Sequence, residues 1–110
     1  MSFHFFALCM QNEHDAVRKL LMENEEIVNQ RFHNDETALH IAASENYIEL
    51  FLVLQKQKSD INSKDLFKNT PLMKASEKGY INIVKLLLLE ENIAVNEQNI
   101  CGNTALMLGD

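Results

Sequence analysis

The sequence of 110 residues has the length of one domain, and its 46% hydrophobic and 24% charged residues are typical of a globular protein and exclude wholesale disorder. The net charge is −6, and the lysines and arginines are scattered along the chain. This argues against a nucleic-acid backbone or an anionic membrane as the main partner. No stretch approaches the roughly 20 apolar residues of a membrane span, so we expect no membrane insertion.

The opening segment, MSFHFFALCM, is apolar but has no basic leader and is followed directly by the polar QNEHD, so it is not typical of a secretory signal. Two cysteines, Cys9 and Cys101, are too few and too far apart to indicate a disulfide framework or a zinc site. We expect both to be reduced thiols and the chain to be cytoplasmic or nuclear.

Two markers recur along the chain with one period. Threonines that begin a Thr-X-Leu tripeptide stand at Thr37, Thr70 and Thr104, with spacings of 33 and 34 residues. Two markers in the same phase, three times over, predict a repeat protein. The second marker is an asparagine eight residues before each threonine, at Asn29, Asn62 and Asn96.

Each repeat predicts two short helices. In the first repeat they begin near Thr37 and Ile48. In the second, one helix is predicted from Thr70 to about Lys78, where Gly79 ends it, and the other from about Ile81 to Leu89. Helices of about nine residues are marginal alone, so they must pack on their neighbours as in a solenoid.

The last predicted helix and the N-terminal segment extend this pattern. Residues 83–88 leave only Lys85 polar, so we expect this helix to be covered on most of its surface. The N-terminal EHDAVRKLL aligns with KGYINIVKLL, and EEIVNQ with ENIAVNEQ, which predicts a degenerate repeat in the same phase. Its helix start has phenylalanines in place of the threonine tripeptide, at Phe3, Phe5 and Phe6.

The sequence ends at Gly109-Asp110, half-way through the first helix of a third repeat. We favour a fragment of a longer array. The alternative is that one apolar face, formed by residues 86–89 and this last segment, is left poorly covered.

The helix starts resemble a known family. Thr-Ala-Leu-His at 37–40, Thr-Pro-Leu-Met at 70–73 and Thr-Ala-Leu-Met at 104–107 are similar to the Thr-Pro-Leu-His starts of ankyrin repeats. The resemblance covers almost the whole chain. Further matches are the small pairs at 42–43 and 75–76, Gly79-Tyr80, and IVKLLL at 83–88.

The resemblance implies an all-α ankyrin-repeat solenoid, in which each unit is a short β-hairpin finger followed by two antiparallel helices. It implies a single domain over residues 1–110. The predicted parts are a degenerate repeat at 1–34, repeats at 35–67 and 68–101, and a truncated start at 102–110.

No pattern predicts catalysis, a cofactor or a metal site. The glycines are isolated, and the histidines have no Cys or His partners at ligand spacing. Cys9 and His14 could form a nucleophile and base, but Cys9 lies at a helix-packing position and we expect a buried structural thiol. The resemblance gives His40 a structural hydrogen bond, which Met73 loses in the next repeat. We therefore expect no enzyme, no cofactor and no small-molecule substrate.

The resemblance implies a non-catalytic module that binds a partner protein through a concave face of finger tips and exposed sides of the first helices. The predicted protein-binding residues are Phe32, His33, Asn34, Ile41, Glu45, Leu66, Phe67, Lys68, Lys74, Lys78 and Ile100.

Several of these tip residues leave alternatives open. Leu66 and Ile100 share a phase, so they can pack on each other or contact a partner. For Phe67 we favour contact with a partner. Phe32 is one position out of phase with the other tips, so it can fold back on the first unit. Where the family usually has a positive-φ glycine, the second finger has Lys68, which predicts a strained or differently shaped turn.

A second function stays open at this point. The chain can be an internal part of a longer array, serving as a spacer or self-association scaffold in a larger signalling or effector protein. Self-association would use the truncated C-terminal end.

Overall fold

The computed structural model describes residues 2–109, with side chains from residue 4 onward. The predicted role of the Phe3 side chain lies outside this part, as does Asp110. Helices account for most of the described residues. Their bounds are α1 Ser2–Met10, α2 His14–Glu23, α3 Ala38–Glu45, α4 Ile48–Lys56, α5 Pro71–Lys78, α6 Ile81–Leu88 and α7 Ala105–Leu108, with short 3-10 turns at Glu25–Asn29 and His33–Asp35.

The helices stack in two rows. One row holds α1, α3, α5 and α7, each packed on the next, and the other holds α2, α4 and α6. The stack measures 38 × 24 × 23 Å. Within each repeat the two helices pair across the rows, α1 with α2, α3 with α4 and α5 with α6. The predicted all-α solenoid is therefore confirmed.

The helix bounds follow from local capping. Thr70 lies just before α5, and its Oγ1 accepts a hydrogen bond from the Met73 amide at 3.2 Å. Pro71 occupies the first turn, where no amide hydrogen is needed, and Gly79 ends the helix at φ +73°. The predicted helix starts in both full repeats, and the predicted ends in the second, are confirmed to within a residue.

The core runs along the seam between the two rows. Leu39, Leu50, Phe51 and Leu54 are fully buried at its centre. In the N-terminal unit, Cys9 is fully buried, as predicted.

The expectation that α6 is covered on most of its surface is wrong. In α6 only Ile83 and Leu87 are buried, whereas Ile81 is 63% exposed and Leu88 is 51% exposed. The reason is the position of α6 in its row, because α4 has α2 and α6 on its two sides, while α6 packs on α4 alone among the described helices of that row.

Among residues 2–109, no helix combines the length and the apolar character that crossing a membrane requires.

Candidate functional site

Three loops project in a row from the starts of α3, α5 and α7. We call them fingers, and they comprise residues 32–36, 65–69 and 99–103. Each finger is a tight turn in which the first amide donates to the last carbonyl, and the described residues contain no strand, so the β-hairpin part of the prediction is wrong. The closing bonds run from Phe32 N to Glu36 O (2.7 Å), from Asp65 N to Asn69 O (3.0 Å) and from Asn99 N to Asn103 O (2.9 Å).

The fourth position of each finger has a positive φ. Asp35 lies at +62°, Lys68 at +63° and Gly102 at +80°. Lys68 therefore adopts the conformation that favours glycine, at a steric cost. The expectation of a differently shaped second finger is wrong, because its turn matches the third.

The second and third fingers are held by an acceptor side chain at their first position. Asp65 Oδ1 accepts hydrogen bonds from the amides of Phe67 (2.9 Å) and Asn69 (2.8 Å). Asn99 Oδ1 accepts equivalent bonds from Cys101 and Asn103, both at 3.0 Å. These turns are thus fixed by the finger's own side chain.

The first finger has Phe32 at this position, which cannot accept a hydrogen bond. Its ring packs instead against Phe5, at a centroid distance of 5.7 Å, and against Phe6, at 5.0 Å. The alternative in which Phe32 folds back on the N-terminal unit is confirmed. Phe32 stabilises the first unit and is not an exposed tip.

Backbone hydrogen bonds also join neighbouring fingers. The Leu66 amide donates to the Asn34 carbonyl and the Ile100 amide donates to the Phe67 carbonyl, both at 2.9 Å. The three fingers therefore form one connected row.

His40 ties the second finger to the start of α3. Its Nδ1 accepts a hydrogen bond from the Thr37 amide at 3.1 Å, and its Nε2 donates to the Asn69 carbonyl at 2.8 Å. Burial lowers the pKa of His40, so the ring is neutral, as these bonds require. The predicted structural role of His40 is confirmed.

Family comparisons agree with this architecture. A family model described as ankyrin repeats (3 copies) matches residues 3–65, and one described as ankyrin repeats (many copies) matches residues 52–108. The chain belongs to the ankyrin-repeat family. Ankyrin repeats are generally protein-interaction modules and are typically non-catalytic.

Similar proteins carry ankyrin repeats within much longer chains. Serine/threonine-protein kinase VIK of Arabidopsis thaliana is 36% identical over 77 residues, covering 70% of this chain and 18% of the kinase. Ankyrin repeat and KH domain-containing protein mask of Drosophila melanogaster is 34% identical over 101 residues, covering 88% and 2%. ANK repeat-containing protein nipk-1 of Caenorhabditis elegans is 32% identical over 105 residues, covering 93% and 16%. The chain thus spans less than a fifth of the length of these relatives.

The ankyrin-repeat fingers expose a set of apolar side chains, which we call the apolar tip row: Leu66, Phe67 and Ile100. They are 60%, 45% and 65% exposed, respectively. Any packing between Leu66 and Ile100 therefore leaves most of both residues accessible.

Five polar residues of the predicted surface are also exposed. His33, Asn34 and Lys68 are exposed on the fingers, and Glu45 and Lys78 are exposed at the ends of α3 and α5. The three finger residues lie beside the apolar tip row, whereas Glu45 and Lys78 stand at the helix ends that point away from the fingers.

Two predicted surface residues of the first helices are not free. Ile41 is buried, at 3% exposure, because α3 lies between α1 and α5. Lys74 is half-buried, with its ammonium 3.3 Å from Glu36 Oε2 and 3.4 Å from Asp65 Oδ2. Its charge compensates the buried Asp65 carboxylate, so predicting both residues as exposed was wrong.

The described residues offer little for reaction chemistry. Burial raises the pKa of the Cys9 thiol to about 12, so the thiol stays protonated at neutral pH. Within residues 2–109, no group of three or more His, Cys, Asp or Glu side chains is arranged to hold a metal ion. The fingers therefore present exposed apolar side chains on turns that are fixed by hydrogen bonds.

The sequence prediction missed the acceptor role of Asp65 and Asn99. The available signal was their shared phase, five residues before Thr70 and Thr104. An Asp or Asn that begins a tight turn commonly accepts hydrogen bonds from the amides that follow it.

Proposed function

We propose that this ankyrin-repeat domain is a non-catalytic module that binds a partner protein through the apolar tip row. The observation that carries the proposal is the exposure of three large apolar side chains on turns that are hydrogen-bonded to one another. Large apolar residues at a fixed surface are typical of protein interfaces. His33, Asn34 and Lys68 flank the row on the fingers, and Glu45 and Lys78 would extend the contact to the far ends of α3 and α5.

The rigidity of the fingers favours binding. Because the turns are already fixed by Asp65 and Asn99, little backbone entropy is lost when a partner docks. Burying each apolar tip contributes roughly 1.5–3 kcal/mol. A micromolar complex requires about 8 kcal/mol after the costs of association. The polar residues must therefore add to the binding free energy that the apolar tip row supplies.

The test compares what the chain captures with and without its tips. Phe67→Asp combined with Leu66→Ser should lose a captured protein and lower the melting temperature by no more than a few degrees. Met22→Asp is the matched control, because Met22 is 76% exposed on α2, away from the fingers. Quantitative mass spectrometry of both captures gives the comparison. Equal capture by the tip variant, or a large loss of melting temperature, would contradict the proposal.

A second function is a spacer within a larger signalling or effector protein. It is supported by the relatives, in which the matched segment covers 18%, 2% and 16% of the protein. Under this function, the tip double variant placed in the intact host protein leaves the host's activity unchanged, whereas Leu87→Ala, which perturbs the fold, lowers it.

We also propose a reducing compartment, the cytoplasm or the nucleus. The support is Cys101, which is free and exposed on the third finger. Fluorescence microscopy of the tagged chain tests this location, and secretion would contradict it.

A further inference from the structure

The second finger holds a lysine in a conformation that favours glycine. Lys68 lies at φ +63°, and the equivalent position of the third finger is Gly102 at +80°. A side chain in this region of backbone conformation costs free energy that glycine does not. The turn does not require the lysine, because its hydrogen bonds come from the backbone and from the Asp65 side chain. The Lys68 side chain therefore adds strain to a turn that forms without it.

The Lys68 side chain makes no polar contact in the fold that would offset this strain. It is exposed, and its ammonium forms no ion pair with the carboxylates that the structure describes. The second finger lies between the first and the third, so this exposure does not depend on where the sequence begins or ends. Backbone strain is often found at functional sites.

Strain alone does not mark a functional residue. Lys58 lies at φ +61° and is also exposed and unpaired among the described residues. It belongs to the loop after α4, where its carbonyl accepts a hydrogen bond from Asn29 Nδ2 at 3.4 Å. Lys68 differs in its neighbours, because it directly follows Leu66 and Phe67, which are 60% and 45% exposed. Lys58 is therefore a matched control for Lys68.

The carboxylates of the first two fingers are already paired. Asp35, at the equivalent position of the first finger, lies 3.8 Å from the Arg31 guanidinium. Glu36 and Asp65 share the Lys74 ammonium, at 3.3 and 3.4 Å. Asp65 is also buried, and its Oδ1 accepts two amide hydrogen bonds within its own turn. Beside the apolar tips, the lysine of the second finger is thus an exposed cation without a counter-ion in the described part of the chain.

The net charge of −6 does not exclude an acidic partner at this place. Charges on the surface are largely screened beyond about 8 Å at physiological ionic strength. A carboxylate that docks at the fingers therefore responds to the nearby lysine more than to the charge of the whole chain.

We propose that the partner is a protein segment in which Asp or Glu stands beside large apolar side chains, and that Lys68 pairs with this carboxylate. The apolar residues of the segment cover Leu66 and Phe67, while the ion pair determines which apolar segments fit. This inference rests on the proposed function, because it requires a partner at the apolar tip row.

Selection from a displayed library of random short peptides tests the partner class. The wild-type chain should enrich peptides that carry Asp or Glu beside large apolar residues. Lys68→Glu should change the enriched charge to Lys or Arg, whereas Lys58→Glu should enrich the same peptides as wild type. The same charge preference for wild type and Lys68→Glu would overturn the proposal.

One selected acidic peptide is then the probe for isothermal titration. Lys68→Gln should weaken its binding about threefold at low salt, and Lys68→Glu about tenfold, as expected for an exposed ion pair that is first removed and then reversed. Both losses should shrink as the ionic strength rises, and Lys68→Arg should keep the wild-type affinity. A loss that does not vary with salt would show that the side chain acts by packing, and would overturn the ion pair.

Lys68→Gly separates binding from stability. It relieves the strained turn, so it should raise the free energy of unfolding and still bind the acidic peptide about threefold more weakly. Lys58→Gly should relieve the same strain and leave the affinity unchanged. A Lys68→Gly chain that is less stable than wild type, or that binds equally well, would overturn the proposal.

A neutral tip variant, Leu66→Ser with Phe67→Ser, distinguishes this inference from the proposed function. It removes the apolar tips without adding a charge that would repel an acidic peptide. If wild type selects apolar peptides without a charge preference and this variant binds none of them, the proposed function stands and the ion pair is refuted. If the variant binds the peptides as well as wild type, the proposed function fails and the ion pair fails with it.

Discussion

His40 is the side chain whose replacement has the best-defined expected cost. His40→Met copies the second repeat, where Met73 occupies the same position and Thr70 caps the helix alone. The Thr37 hydroxyl can then accept from the residue-40 amide in the same way. The Thr37 hydroxyl loses its 3.0 Å bond with His40 Nδ1 but keeps the one with Ser63 Oγ at 3.2 Å. The Thr37 amide and the Asn69 carbonyl lose their bonds to the ring.

Each of these groups is left without its partner in a region that is largely buried. Leaving such a group unsatisfied costs about 1–3 kcal/mol, and the more accessible carbonyl should fall at the low end. We expect the free energy of unfolding to fall by about 2–3 kcal/mol, which corresponds to about 8–12 °C in melting temperature.

The same variant should remove a pH dependence. Burial lowers the pKa of His40 in the folded state, whereas the unfolded chain titrates near its ordinary value of about 6.5. The unfolded state therefore binds the proton more readily, and the contribution of His40 to stability is full above about pH 6.5 and declines as the pH falls below it. His40→Met has no such term, so the difference between the two proteins should shrink towards pH 5.

Urea unfolding followed by circular dichroism, at a series of pH values, measures both effects. His14→Gln is the control, because His14 retains partial exposure on α2. A loss below about 1 kcal/mol at pH 7.5, or a stability difference that does not vary with pH, would refute this reasoning.

Three further predictions concern the turn, the core and the thiols. Lys68→Gly relieves a positive φ and should raise the free energy of unfolding by about 0.5–1 kcal/mol, measured by urea unfolding. Leu87→Ala opens a cavity in the core and should cost about 2–5 kcal/mol, whereas Leu89→Ala, at an 81% exposed position, should change stability by under about 0.5 kcal/mol. A thiol reagent at pH 8 should label the exposed Cys101 rapidly and Cys9 only on unfolding, because burial raises the pKa of Cys9 to about 12.

Opposite results would locate the error in each case. A destabilising glycine would show that the Lys68 side chain makes a contact that outweighs its strain. Equal losses at the two leucines would place Leu89 in the core. Rapid labelling of both thiols in the native protein would show that α1 detaches from the stack.

The helices and their order were predictable because their signals are local. A threonine cap, a proline in the first turn and a glycine at the end act within one helix, so Thr70, Pro71 and Gly79 define α5 without reference to the rest of the chain. The repeat period of the threonine and asparagine markers then predicts that these helices stack as repeated units.

The exposure of individual side chains was harder to predict because it depends on both neighbours. Ile41 is buried because α3 lies between α1 and α5. Lys74 is held by an ion pair with Asp65, whose carboxylate is itself buried by the finger. The repeat period predicts which face of the helix a residue occupies. It does not predict that a side chain from another element packs against that face.

The direct measurement of the central claim is the affinity of a partner, purified after capture, for three forms of the chain. Isothermal titration would compare wild type, Phe67→Asp with Leu66→Ser, and the control Met22→Asp. We predict that the tip double variant binds at least about tenfold more weakly, the loss expected from one buried apolar side chain, while the control matches wild type. Equal affinity for all three forms, with melting temperatures unchanged, would contradict binding through the apolar tip row.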